Sequence, residues 1–195
     1  MDTAPTMMQQ LKAVTRPAHD ALEAQVNLPR LATSFATYHT LLQRFYGFYL
    51  PLELRLATLP WTTVGFDLAA RRKLPLLRCD LLHLGESTAT LARLPICRDR
   101  PEPVDLATGC GCLYVLEGAT LGGQLISRRL RQTLGLHATG GAAFFTSYGD
   151  QVGPMWTGFG AFVNQLATDH PQRQDAMIDA ACTTFAALGD WLGGL

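Results

Sequence analysis

No charge of either sign predominates in this chain: sixteen Lys and Arg balance sixteen Asp and Glu. A neutral molecule has no global field with which to gather nucleic acid or an anionic membrane, so any basic site has to be local. Long apolar runs are missing too, since nothing approaches the roughly 20 apolar residues that span a bilayer. The opening MDTAPTMMQQ has neither the basic nor the apolar stretch of a secretory signal. A cytoplasmic protein with no nucleic-acid or membrane partner is expected. Cysteine is sparse and odd in number, five without framework spacing, which speaks against a disulfide scaffold and fits free thiols in a reducing compartment. Cys110 and Cys112 form a C-x-C with no second pair, so a structural zinc site is not expected. No glutamate is followed three residues later by histidine, which leaves out the ferritin-like di-iron pattern. Apolar alternation, internal repeats and low-complexity tracts are absent as well.

What is present is helical periodicity in a chain of 195 residues, 48% hydrophobic, enough for one domain spanning 1–195 around a single core. Met8, Leu11, Ala18, Leu22 and Val26 recur at spacings of three and four. So do Phe35, Tyr38, Leu42, Phe45 and Tyr49, behind a possible N-cap at Thr33 or Ser34. Pro17 predicts a kink in the first helix or a start just after Thr15, and Pro51 an end or kink in the second. After the loop LPWTTVG, residues 67–86 resume the pattern through Leu74, Leu77, Leu81 and Leu84, and Gly85 stops it. The Pro-rich LPICRDRPEPVD interrupts. A long helix is then predicted from about Val104 to Leu134, a glycine-containing connection at HATGGAAFF, and two more helices at about 156–167 and 172–192. The fold class expected is all-α, a single multi-helical bundle.

Two features carry possible chemistry. On the first helix Lys12, Arg16, His19 and Glu23 follow at steps of four, three and four, so they form one polar stripe. Such a stripe can be plain solvent-facing charge. It also has the form of a metal site, in which one imidazole nitrogen binds the metal and a carboxylate one turn on holds the other. The second feature is YVLEGATLGGQLISRRL, whose Gly118, Gly122 and Gly123 each weaken a helix by about 1 kcal/mol relative to alanine. Close packing of a neighbouring helix would explain them, and so would a flat ligand lying between this strip and the helix of His19. A phosphate loop is not supported, because no lysine and hydroxyl residue follow the glycines in the required order. His39, His83, His137 and His170 are scattered and read as ordinary histidines.

The segments LKAVTRPAHDALE, FYGFYLPLE and YVLEGATLGGQLI, with LLRCDLLHLG, FFTSYG and TFAALGDWL, together resemble haem oxygenases, in particular the bacterial branch found with bacteriophytochromes. The resemblance covers most of the chain. It implies haem as both cofactor and substrate, held between a proximal and a kinked distal helix and cleaved with O2 and electrons to biliverdin, carbon monoxide and ferrous iron. His19 is implied as the proximal iron ligand, Glu23 as its partner, Lys12 near a haem propionate, and Gly118 and Gly122 on the distal side. The electrons would come from a reductase, ferredoxin or flavodoxin-type donor, and a bacteriophytochrome could accept the biliverdin. Two departures stand out. Many relatives carry an aspartate directly after the first distal glycine, where this chain has Ala119; Glu117 is about 100° away around the helix. The family's late arginine for propionates is also missing from GFGAFVNQ, leaving Lys12, Arg16 or one of Arg128, Arg129 and Arg131 to compensate. The arginine cluster could equally face solvent or receive an acidic donor. Two other readings stay open: haem binding or delivery without turnover, and a thiaminase-like hydrolase on the same fold with Cys110 or Cys112 as nucleophile.

Overall fold

Hydroxyl and carboxylate caps set several helix starts. In the computed structural model, which describes residues 4–26 and 32–193, Thr6 and Gln9 form a capping box for α1 (Met7–Gln25). Ser34 caps α2 (Phe35–Leu56), and Asp105 with Thr108 caps α5 (Leu106–Leu134). Each cap supplies an acceptor for an N–H that the helix itself leaves unpaired. The remaining helices are α3 (Leu74–His83), the short α4 (Thr88–Leu91) and α6 (Ala143–Thr146), α7 (Val152–Asp169) and α8 (Gln174–Leu192). No strand occurs among the described residues.

Neither proline marks a helix boundary. Pro17 lies inside α1, which starts ten residues earlier at Met7. Pro51 lies inside α2, which continues to Leu56. Proline at 51 has no N–H to offer the Gly47 carbonyl one turn back. The Cys97 N–H donates to that carbonyl instead, at 3.0 Å, so a tertiary contact replaces the lost helical one. The pattern predicted over residues 67–86 is helical only from Leu74; residues Ala69–Arg71 form a single 3-10 turn. Glu53, buried on α2, accepts the Lys73 and Leu74 N–H groups at 2.6 and 3.1 Å and so caps α3 from another helix.

Packing is centred on α8, which lies along both α5 and α1 and also meets α2. Gly111 permits the α5–α8 approach, because a Cβ there would lie 2.8 Å from the Cβ of Ala180. The fully buried Leu11, Tyr38, Phe48, Leu52, Phe159 and Ala181 mark one core shared by four helices. Helices α1 and α5 both contact α7 and α8 but have little contact with each other. That leaves a gap between them, and both features singled out in the sequence border it.

Candidate functional site

The gap narrows at one end where Thr15 on α1 and Tyr114 on α5 approach each other. Four residues beyond Thr15 stands His19, and four beyond Tyr114 stands Gly118, so one helical turn carries each chain from the narrow end to the open part. His19 packs the edge of its ring on Phe185 of α8, with centroids 5.9 Å apart and planes at 75°. The imidazole is 47% exposed, with Nδ1 3.5 Å from Asp20 and Nε2 3.7 Å from Glu23. Those separations are too long for strong hydrogen bonds, and either nitrogen can turn to a ligand. His19, Asp20 and Glu23 bring possible metal-binding atoms within 4.8 Å of one another. Arg16 is turned along the helix to Asp20, with Nε 3.0 Å from Oδ2, and that guanidinium holds the Asp20 carboxyl below its ordinary range. Lys12 is exposed on the same helix.

The three glycines of α5 divide into two kinds. A Cβ at Gly123 would come within 2.8 Å of the Phe145 carbonyl oxygen, so this glycine exists to let α6 lie against the helix. A Cβ at Gly118 would touch only the rim of Trp156, at 3.8 Å or more, and at Gly122 it would meet nothing within 4 Å. These two face open space, where neighbour packing gives no reason for the missing side chain. Beside them Leu121 and Leu125 are 45% and 64% exposed, and on α1 Val14 is 50% exposed. Leu121 and Leu125 give the strip without side chains an apolar border.

Ala119 is exposed next to Gly118, and Glu117 points the other way into the protein, only 1% exposed. It is paired with Arg71 at 2.6 Å and Lys73 at 2.8 Å and accepts from Tyr148, so it does not stand in for the absent acid at the surface of the gap. Arg71, Lys73 and Tyr148 were not evident from sequence as neighbours of this helix. The charged run RRK inside an otherwise apolar pattern was the available signal, and nothing local says which helix such a run meets. Arg128, Arg129 and Arg131 are exposed further along α5. GFGAFVNQ lies on α7, and Arg71 from the 3-10 turn reaches to 3.7 Å from where a Cβ of Gly158 would lie.

The cysteines are poor nucleophiles. Cys110 and Cys112 are fully buried; burial raises both thiols, Cys112 to about 11, so almost no thiolate forms near neutral pH. This removes the support for a hydrolase built on either. A surface groove of about 510 Å³, lined by Leu59, Trp61, Phe66 and Arg72 among others, includes neither His19 nor the glycines.

A family model described as "Heme oxygenase" matches residues 5–193. A "Heme oxygenase" of Xanthomonas campestris pv. campestris (strain 8004) is 32% identical over 145 residues, 74% of this chain and 82% of the relative. Among solved structures, the NO- and CO-bound heme oxygenase from Neisseria meningitidis superposes with a TM-score of 0.81 at 23% identity, covering 97% of this chain and 91% of the other. Heme oxygenase-1 from the cyanobacterium Synechocystis, in complex with heme, gives a TM-score of 0.70 at 18% identity, covering 96% and 91%.

Proposed function

Because the chain belongs to the haem oxygenase family, an enzyme family that cleaves haem to biliverdin, we propose that haem is held in the gap between α1 and α5, with His19 as its proximal ligand and Gly118 and Gly122 on the opposite side. The observation that carries this reading is the pair of side-chain-free positions at Gly118 and Gly122, open to the gap bordered by an exposed imidazole. A flat, mostly apolar ring fits a strip with no Cβ, an apolar border of Leu121 and Leu125, and an edge-packed histidine. Haem, when bound, is both the substrate and the group that binds O2.

The chain's own residues then have distinct tasks. Phe185 fixes the plane of His19, and Glu23 receives the ring N–H that faces away from the iron, which keeps the other nitrogen unprotonated as a ligand. Lys12 offers an ammonium to a propionate at the edge of the gap. Arg16 does so once it leaves Asp20, an exposed pair of small worth. Gly118 and Gly122 leave the opposite face open to a molecule as small as O2, and their backbone can hold ordered water there. With Ala119 in place of an acid, protons must travel through backbone carbonyls and water. Electrons come from an external reductase, ferredoxin or flavodoxin-type donor, for which the exposed Arg128, Arg129 and Arg131 are a suitable landing face. The product supplies biliverdin to a bacteriophytochrome or iron to the cytoplasm.

Purified protein mixed with hemin should give a histidine-ligated Soret spectrum and, with reductant and oxygen, biliverdin. His19→Ala should lose that ligation and most turnover. Unchanged spectrum and activity in His19→Ala would overturn the assignment, and stable haem without pigment would mean binding without turnover.

A further inference from the structure

Directly behind the open rim of the gap lies a buried group of charges that no step above uses. On α5 Glu117 precedes Gly118, and on α7 Met155 precedes Trp156, so both inner positions sit one residue inward of the rim. Arg71 joins them, donating from Nη1 to Glu117 Oε2 at 2.6 Å and to the Met155 carbonyl at 3.1 Å. Lys73 Nζ donates to Glu117 Oε1 at 2.8 Å, to the Tyr148 hydroxyl oxygen at 2.6 Å and to the Arg71 carbonyl at 2.6 Å. The Tyr148 hydroxyl donates in turn to Glu117 Oε1 at 2.6 Å. Lys73 is 2% exposed and Arg71 10% exposed at the side chain.

The charge of this group follows from its hydrogen bonds. Three oxygens surround Nζ and all three accept, which requires an ammonium with its full set of protons. Burial pulls Lys73 below its ordinary range, and the Glu117 carboxylate pushes it back up. Tyr148 is held neutral, raised first by burial and then by Glu117. Two cations therefore meet one carboxylate, leaving one positive charge in excess. The neighbouring Arg72 and Glu53, 3.1 Å apart, cancel each other. Helix α7 has no charged residue before Asp169 at its far end, and the α1 charges Lys12, Arg16, Asp20 and Glu23 are exposed and screened by water and salt. A charge in the buried seam is screened far less.

We propose that this excess positive charge, fixed by Lys73 and Arg71 against Glu117, sets the potential on the Gly118–Gly122 face of the bound haem and favours negative charge there. The inference rests on the haem reading above. O2 takes up electrons on that face, and a pre-set positive potential assists them without having to reorganise during the reaction.

Azide binding to the ferric hemin-loaded protein at neutral pH tests this, because the readout follows charge and not turnover. Lys73→Met brings the cluster to zero and should weaken azide about tenfold, while Glu117→Gln, which leaves Arg71 charged and takes from Lys73 the carboxylate that holds its proton, should not weaken it. About tenfold is the size expected for one charge about 10 Å away at an effective dielectric of about 20. The double variant restores one excess charge and should return to wild-type affinity, a rescue that a merely structural role would not give. Tyr148→Phe, which removes a hydroxyl and no charge, and the exposed Arg93→Gln should leave azide affinity unchanged. If Glu117→Gln does not fold, Lys73→Met and the double variant still decide the matter. Hemin-loaded variants with equal azide affinities, or singles that shift in the same direction, would overturn the proposal. A wild-type chain that takes up no hemin would overturn the haem reading itself, and the two failures are distinct.

Discussion

At the scale of single residues, neighbouring glycines of one helix carry different obligations. Gly123→Ala should destabilise the protein by about 1–3 kcal/mol, since its methyl must displace the Phe145 carbonyl. Gly122→Ala should leave unfolding in denaturant unchanged or slightly improved, because the new methyl meets only open space and alanine favours a helix by about 1 kcal/mol. The same methyl should weaken hemin binding. Denaturation midpoints and hemin titrations of the two variants check both halves, and a Gly122→Ala protein that unfolds as readily as Gly123→Ala would contradict the division. The sequence made all three glycines conspicuous. It could not separate them, because the separating fact is the position of Phe145, more than twenty residues further along. His19 stood out as a candidate for the opposite reason: Glu23 is one turn away, and local spacing was enough to pair the two.

At the scale of helices, Asp80 on α3 pins α6 in place, accepting the Ala143 and Phe144 N–H groups at 2.7 and 2.8 Å. It is fully buried, and burial pushes its carboxyl up to about 6 against the pull of those two hydrogen bonds. The folded chain thus holds this proton more tightly than the unfolded one, whose aspartate titrates near 4. The contribution of Asp80 is fully present below about pH 4 and is lost as pH rises through about 6. Asp80→Asn removes that titration. Stability measured in denaturant, as the difference between wild type and Asp80→Asn, should fall in the wild type's disfavour from pH 4 to 6 and level off above; a difference independent of pH would refute the assignment. Helix existence was largely legible, since the apolar spacing and the cap at Ser34 are local. The fates of Pro17 and Pro51 were not, because Cys97 rescues the Gly47 carbonyl from a distant loop. Helices α4 and α6, four residues each, are too short to show a period.

At the scale of the whole molecule, the all-α class and a single core were readable in the sequence. The buried ion cluster was not, since it is assembled from a 3-10 turn, two helices and the segment after α6. The gap itself predicts ligand-linked stability. Hemin at about 100 times its dissociation constant should stabilise the fold by about 2.7 kcal/mol, which for a chain of this size raises Tm by roughly 5–10 °C. Thermal unfolding with and without saturating hemin checks it, and an unmoved Tm would mean that folded and unfolded chains bind hemin alike. The arrangement of α1 has a consequence for how the protein is made. The helix bearing His19 is made before the surfaces it rests on, which belong to α7 and α8: Met8 N–H donates to Asn164 at 3.0 Å, Phe185 supports the imidazole, and Leu22 approaches Gly189. A nascent chain therefore displays His19 with nothing to hold its ring until α7 and α8 have followed.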